Sequence, residues 1–194
     1  MAAVTILGIG GTTRPDSTSE RALRVALGRA EARGAAVDLL TARELELPMY
    51  DPGRAQSPAA VRLITAARAA DGIIVATPGY HGGMSGLLKN ALDHLQELAG
   101  DPQPYLHDRA VGIIVAASGW QASASTLAAV RSTVHALRGW PTPLGVLVNS
   151  AAQPFAPDGT VADAGLGGRL AALADQVVDF ARARAMLVDA ALAS

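Results

Sequence analysis

The chain alternates short apolar runs with longer stretches whose apolar residues recur every three or four positions. Residues 4–9 (VTILGI) are the first run, and two glycines follow it. Residues 17–33 carry Leu23, Ala26, Leu27 and Ala30 at helical spacing, with Gly34 as a stop. Residues 36–40 are a second apolar run, and residues 44–54 read as a loop. Ser57 followed by Pro58 is a helix cap with proline in the first turn, and it opens a helix to about Ala69. Residues 71–77 (DGIIVAT) predict a strand buried on both faces. A helix over 85–98 places Leu88, Ala91, Leu92 and Leu95 on one side. Residues 109–117 predict the fourth strand, 123–137 a helix and 143–149 the fifth strand. A stretch rich in Pro, Gly and Asp at 150–168 reads as a loop, and a last helix carries Leu170, Leu173, Val177 and Phe180.

Strict strand–helix alternation implies right-handed crossovers and a parallel sheet covered on both faces. Five strands predict an α/β fold: a flavodoxin-like three-layer sandwich with strand order 2-1-3-4-5. No repeat or linker interrupts residues 1–194, so one domain is expected. In such sheets a ligand sits beyond the carboxyl ends of the strands, where the strand order reverses. That directs attention to the loops at residues 10–19, 77–85 and 117–123.

Composition narrows the chemistry. Half of the 194 residues are hydrophobic, enough for a substantial core. Sixteen basic residues against seventeen acidic ones leave a net charge of −1, no bulk claim on nucleic acid or an anionic membrane. There is no cysteine, so disulfides, thiolate nucleophiles and cysteine-ligated metal are excluded. No apolar run approaches the ~18 residues of a membrane span, and no signal peptide is evident, so a cytoplasmic protein is expected. Lys89 is the only lysine; the other basic residues are arginines.

The first loop, GGTTRPDSTSE at residues 10–20, joins a strand to a helix N-terminus, whose unpaired N–H groups suit an anion. Thr12, Ser17, Thr18 and Ser19 add hydroxyls, and Arg14 adds a fork that binds two phosphate oxygens. Each hydrogen bond to a charged group is worth about 1.5–3 kcal/mol, so four or five would hold a monophosphate without a metal. The same residues also read as plain capping, because Ser17-x-x-Glu20 is a capping box. The arginine inside a hydroxyl-rich turn favours phosphate. A dinucleotide fingerprint fails at Thr13, and no G-K-[ST] is present.

The second loop, TPGYHGGMSGLLKNALD at residues 77–93, crowds Pro78, Gly79, Gly82, Gly83 and Gly86 into a strand-to-helix turn. Glycine lets backbone approach a ligand closely, here the edge of a planar ring. Tyr80 and His81 would wall such a site, or be a packing aromatic and an exposed loop histidine. Neither metal-ligand spacing nor a catalytic triad appears, and the G-x-S-x-G elbow fails at Leu87. In the third loop, Ser118 and Gly119 are small, and Trp120 either covers a ring or packs.

Residues 78–93 resemble the P-x-Y-x-x-x-x-x-G-x-L-K-N-x-[IL]-D signature of the NAD(P)H-dependent FMN reductase family. Thr12-x-Arg14-x-x-Ser17-x-Ser19 resembles that family's S-x-R-x-x-S phosphate loop. The resemblance runs over roughly residues 3–150 and is nearest to reductases that supply reduced flavin to two-component sulfonate monooxygenases. It implies FMN and NAD(P)H as cofactors, with hydride transfer from nicotinamide to the flavin. It implies Thr12, Arg14, Ser17, Thr18 and Ser19 around the FMN phosphate. Pro78, Gly79, Tyr80, His81 and Gly82 would lie along the ribityl chain and ring. Ser118, Gly119 and Trp120 would lie at the ring's pyrimidine edge, where backbone N–H groups would stabilise negative charge. Lys89 and Asn90 fall on the family's K-N pair, with a role in packing or subunit contact. No catalytic acid or base and no metal is implied.

Four departures stand out. Thr12 replaces serine, Gly79 stands where many members have glutamate, and His81 stands where many have asparagine. Met84 stands where some flavin-supplying members carry a tyrosine tied to tetramer assembly. The implied partners are a flavin-dependent monooxygenase and further copies of the chain, as a homodimer or homotetramer. Alternatives are an FMN-containing quinone, azo or nitro reductase, a flavodoxin-like electron carrier, or a scaffold that has lost its cofactor. The charge of −1 argues against the carrier, which is usually more acidic and shorter.

Overall fold

The structure, a computed structural model, describes residues 3–192. Met1, Ala2, Ala193 and Ser194 of the expected 1–194 domain lie outside the described residues. The elements follow in order: β1 (Thr5–Gly10), α1 (Thr18–Ala32), β2 (Ala36–Leu40), α2 (Pro58–Ala69), β3 (Gly72–Tyr80), β4 (Gly83–Met84), α3 (Gly86–Asp93), β5 (Ala110–Ala117), α4 (Trp120–Ala136), β6 (Trp140–Asn149) and α5 (Ala164–Leu192).

Parallel pairing runs β2-β1-β3-β5-β6, while β4 pairs antiparallel with β3. Counting the parallel strands alone, this is the expected 2-1-3-4-5 order of the flavodoxin-like sandwich. Alternate side chains of each central strand enter opposite layers, so the strands are apolar throughout. Ile6, Ile74, Ile114 and Val146 pack with Leu23 and Leu27 of α1 and Leu170, Leu173 and Val177 of α5. Leu7, Ile73, Val75 and Ile113 pack on the other face with Leu63 of α2, Leu88 and Leu92 of α3, and Val130 and Val134 of α4. Among the described residues, no helix is long and apolar enough to cross a membrane.

Several boundaries differ from expectation. β3 does not stop at Thr77 but continues through Pro78, which pairs with Ala116, to Tyr80. β4 is new; two residues, one of them glycine, carry no alternation to read. The helix expected over 85–98 gives way after Asp93 to a tighter 3₁₀ turn, His94–Leu98. α4 starts three residues early, at Trp120. β6 starts at Trp140 despite Pro141 and Pro143, because an edge strand tolerates missing N–H donors. α5 begins at Ala164, inside the stretch expected as loop. Asp163 starts it by accepting from the N–H groups of Gly165 and Leu166 at 2.8 and 3.2 Å.

Candidate functional site

The carboxyl ends of β1, β3 and β5 converge where the strand order reverses. Behind β1, Gly11 lies so close to β3 that a Cβ would sit 2.7 Å from the Ala76 carbonyl oxygen and 2.9 Å from Thr77 Cα. Only glycine allows that approach, which seats the anion loop against the sheet. The loop is internally tied: the Arg14 N–H donates to Thr12 Oγ1 at 3.1 Å. Ser17 caps α1, its Oγ accepting from the Glu20 N–H at 3.2 Å, and lies 3.2 Å from Ser19 Oγ. The reciprocal half of the expected capping box is missing. Glu20 Oε1 instead takes Arg24 Nη2 at 2.6 Å, and Glu20 Oε2 is buried without a partner among the described residues. The N–H groups of Thr18 and Ser19 stay unpaired among the described residues. So does the exposed Arg14 guanidinium. These are the donors a phosphate needs.

The second loop is a hairpin. Gly79 pairs with Met84 and Tyr80 with Gly83, leaving His81 and Gly82 at φ +50° and +83° as a two-residue turn. Two positive φ values in succession mark the type I′ turn, whose first position favours asparagine. The asparagine common in the family at this position therefore has a backbone reason, independent of any ligand. His81→Asn is expected to raise stability by about 0.5 kcal/mol, a gain of 1–2 °C on thermal melting. The hairpin is anchored from both sides. Thr77 Oγ1 accepts from the Ser85 N–H at 3.0 Å, and Thr126 of α4 donates to the Gly83 carbonyl at 3.3 Å. A Cβ on Gly79 would meet Thr126 Oγ1 at 2.9 Å, so a glutamate there does not fit this packing.

At the third loop, Gly119 caps α4 and has no side chain to occupy the first N–H groups. Those of Trp120, Gln121 and Ala122 are unpaired among the described residues. The site therefore faces two helix N-termini, each carrying a partial positive charge. Trp120 is 57% exposed and Tyr80 58%.

A cavity of about 500 Å³ gathers Thr12, Arg14, Ser17, Thr18 and Ser19 at one end, with Pro78, Gly79, Tyr80 and Ser118 toward the other. Its lining does not include His81, Gly82, Gly119 or Trp120. The hairpin carries the first pair past the rim, and the early start of α4 places Gly119 and Trp120 at the helix end. Sequence reasoning missed Thr13, Ala116, Ala117 and Ser150. Thr13 sat in plain view within the hydroxyl-rich turn, and Ser150 follows the last parallel strand to the same rim. The two alanines offer no chemistry to single out.

A larger cavity, about 640 Å³, opens at the amino-terminal ends of β3 and β5, beside Asp71, Asp108 and Arg109. Arg109 there is structural. Its guanidinium donates to the carbonyls of Ala70 at 2.7 Å and Arg68 at 2.9 Å, and burial pulls its pKa down. Parallel sheets bind ligands at the other end.

Curated relatives include an FMN-dependent NADPH-azoreductase of Staphylococcus aureus, 35% identical over 116 residues. That alignment spans 59% of this chain and 58% of the relative. FerB, a flavoenzyme NAD(P)H:(acceptor) oxidoreductase from Paracoccus denitrificans, has the same fold. Its TM-score is 0.76 at 22% identity, over 93% of this chain and 98% of that one. An oxidoreductase from Corynebacterium diphtheriae superposes with a TM-score of 0.69 at 22% identity, over 92% and 96%. The family description "NADPH-dependent FMN reductase" matches residues 4–153, a span from β1 through every loop of the cavity to the turn after β6. By that match the chain belongs to the NADPH-dependent FMN reductase family.

Proposed function

We propose that the chain binds FMN in the 500 Å³ cavity and acts as an NAD(P)H-dependent flavin oxidoreductase. The observation that carries this reading is the donor set at one end of the cavity. An unpartnered Arg14 guanidinium, the hydroxyls of Thr12, Ser17, Thr18 and Ser19, and the open N-terminus of α1 suit a phosphate monoester. Bound FMN would supply the redox chemistry, taking a hydride from reduced nicotinamide and passing electrons to an acceptor.

The chain's own residues orient and stabilise. Pro78, Gly79 and Tyr80 bring backbone close to the ribityl chain and ring, and Ser118 borders the far end. The unpaired N–H groups of Trp120, Gln121 and Ala122, led by Gly119, offer a fixed positive field for the electron-rich edge of a reduced ring. His81 and Gly82 form the turn that holds Tyr80 in place. No acid–base side chain is assigned.

The name of the Staphylococcus aureus relative supports an azo compound as acceptor. Delivery of reduced FMN to a monooxygenase is the second reading, supported by a mouth at which Tyr80 and Trp120 stay more than half exposed, so that flavin can leave. Assembly as a homodimer or homotetramer belongs to the same proposal.

Titration of the apoprotein with FMN is the test, followed by NADPH and NADH oxidation with free FMN, a quinone or an azo dye as acceptor. Saturable FMN binding and acceptor-dependent NAD(P)H oxidation are expected. A protein that fails to bind added FMN overturns the reading. Bound flavin without steady-state turnover leaves an electron carrier instead.

A further inference from the structure

Two more cavities continue from the phosphate end of the flavin cavity. The first, about 380 Å³, shares Arg14, Thr18 and Ser150 with it. The next, about 550 Å³, shares Asp16, Arg21 and Pro157 with the first. One wall throughout is the opening of α1; the other is the segment between β6 and α5.

That segment is a built wall. Phe155 and Val161 bridge, and both pack against the core layer of α1 and α5. The Ala156 N–H donates to Thr160 O at 2.8 Å, and the Ala162 N–H to Pro154 O at 2.9 Å. Arg21 Nη1 ties the wall to α1 by donating to Ala156 O at 3.2 Å.

Positive groups follow one another along this path. Arg14 faces both the flavin cavity and the first extension, and its guanidinium is unpartnered among the described residues. Arg21 faces only the extensions, and its Nε and Nη2 have no partner among the described residues. Arg24, farther on, is paired with Glu20. The opposing charges are Asp16, which lines both extensions, and Asp158, which lines only the far one. Hydrogen bonds from Thr160 hold the Asp158 carboxyl below the usual carboxylate range. Two free cationic forks, one at the phosphate cradle and one a step beyond, suit two phosphates in series.

We propose that the first extension takes the adenylate half of a flavin dinucleotide, so that the chain binds FAD as well as FMN. This rests on the FMN reading above: a ligand whose phosphate sits in the cradle continues into the extension only if it carries a nucleotide on that phosphate. FMN fills the cradle and leaves Arg21 unused; FAD brings a second phosphate to Arg21.

The test is calorimetric titration of the apoprotein with FMN and with FAD. Wild-type protein is expected to bind FAD within tenfold of FMN. Arg21→Gln is expected to weaken FAD about tenfold or more and FMN less than threefold. Because Arg21 also holds Ala156, a second variant is needed. Pro157→Trp adds bulk from an exposed wall and leaves both arginines; it should produce the same selective loss, and it decides the matter if Arg21→Gln does not fold. FAD binding more than tenfold weaker than FMN in the wild type overturns the proposal, as do equal losses of both flavins. A raised KM for NADPH with flavin affinities intact assigns the extension to the nicotinamide dinucleotide and also overturns it. Failure of the wild type to bind FMN removes the underlying reading, and this one with it.

Discussion

Arg14→Ala is expected to weaken FMN binding ten- to a hundredfold while leaving thermal stability unchanged. The guanidinium touches no other group among the described residues, so removing it strands nothing in the apoprotein. Everything it contributes is contributed to the ligand. A charged hydrogen bond is worth about 1.5–3 kcal/mol, and each 1.4 kcal/mol is a factor of ten in affinity. The loss should shrink as salt rises, because Arg14 is exposed and screening weakens its attraction for a phosphate. Arg14→Lys should fall between wild type and alanine: the charge stays, the two-pronged geometry goes. Fluorescence titration of FMN against each variant reads all three effects. Unchanged affinity in Arg14→Ala would remove the phosphate assignment.

Much of this site was legible because its chemistry is local. Arg14, Ser17, Thr18 and Ser19 lie within six residues, between an apolar run and a helical period, and the structure keeps them there. The central strands were legible for a similar reason: Ile73, Ile74 and Val75 are buried on both faces and read as one apolar block. What stayed hidden depends on long-range or backbone effects. The hairpin of β3 and β4 turns on His81 at positive φ, a residue that does not announce such a turn. The start of α4 has no Ser, Thr, Asp or Asn cap, and its uncapped N–H groups are what make it useful at the site. The start of α5 was masked by Gly165, Gly167 and Gly168, poor helix formers that Asp163 and the buried Leu166 outweigh. The wall at 150–163 reads as an ordinary loop until its bridge and its arginine tie are seen.

Asn90 shows the same division most clearly. The K-N pair is visible in the sequence, but its reason is not. Lys89 lies on the surface in an ion pair with Asp93 at 2.6 Å, of small energetic weight. Asn90 is 6% exposed and reaches back about forty residues. Its Oδ1 accepts from the Tyr50 N–H at 2.9 Å, and its Nδ2 donates to Pro48 O at 3.0 Å and Leu47 O at 3.3 Å. The buried His94 supports the same strap, with Nε2 at 3.0 Å from Pro48 O and Nδ1 at 2.8 Å from Gln56 Oε1. Asn90→Ala is therefore expected to cost about 3 kcal/mol: it deletes three hydrogen bonds and leaves the Tyr50 N–H and the Leu47 carbonyl without partners. For a chain of this size that lowers the melting temperature by roughly 6–12 °C. FMN affinity should stay within threefold, because neither Asn90 nor the strap it holds lines the flavin cavity. Lys89→Ala should change neither quantity by much. Thermal melting and FMN titration of the two variants separate the possibilities. A stable Asn90→Ala protein that has lost FMN would mean that the pair serves the ligand rather than the fold.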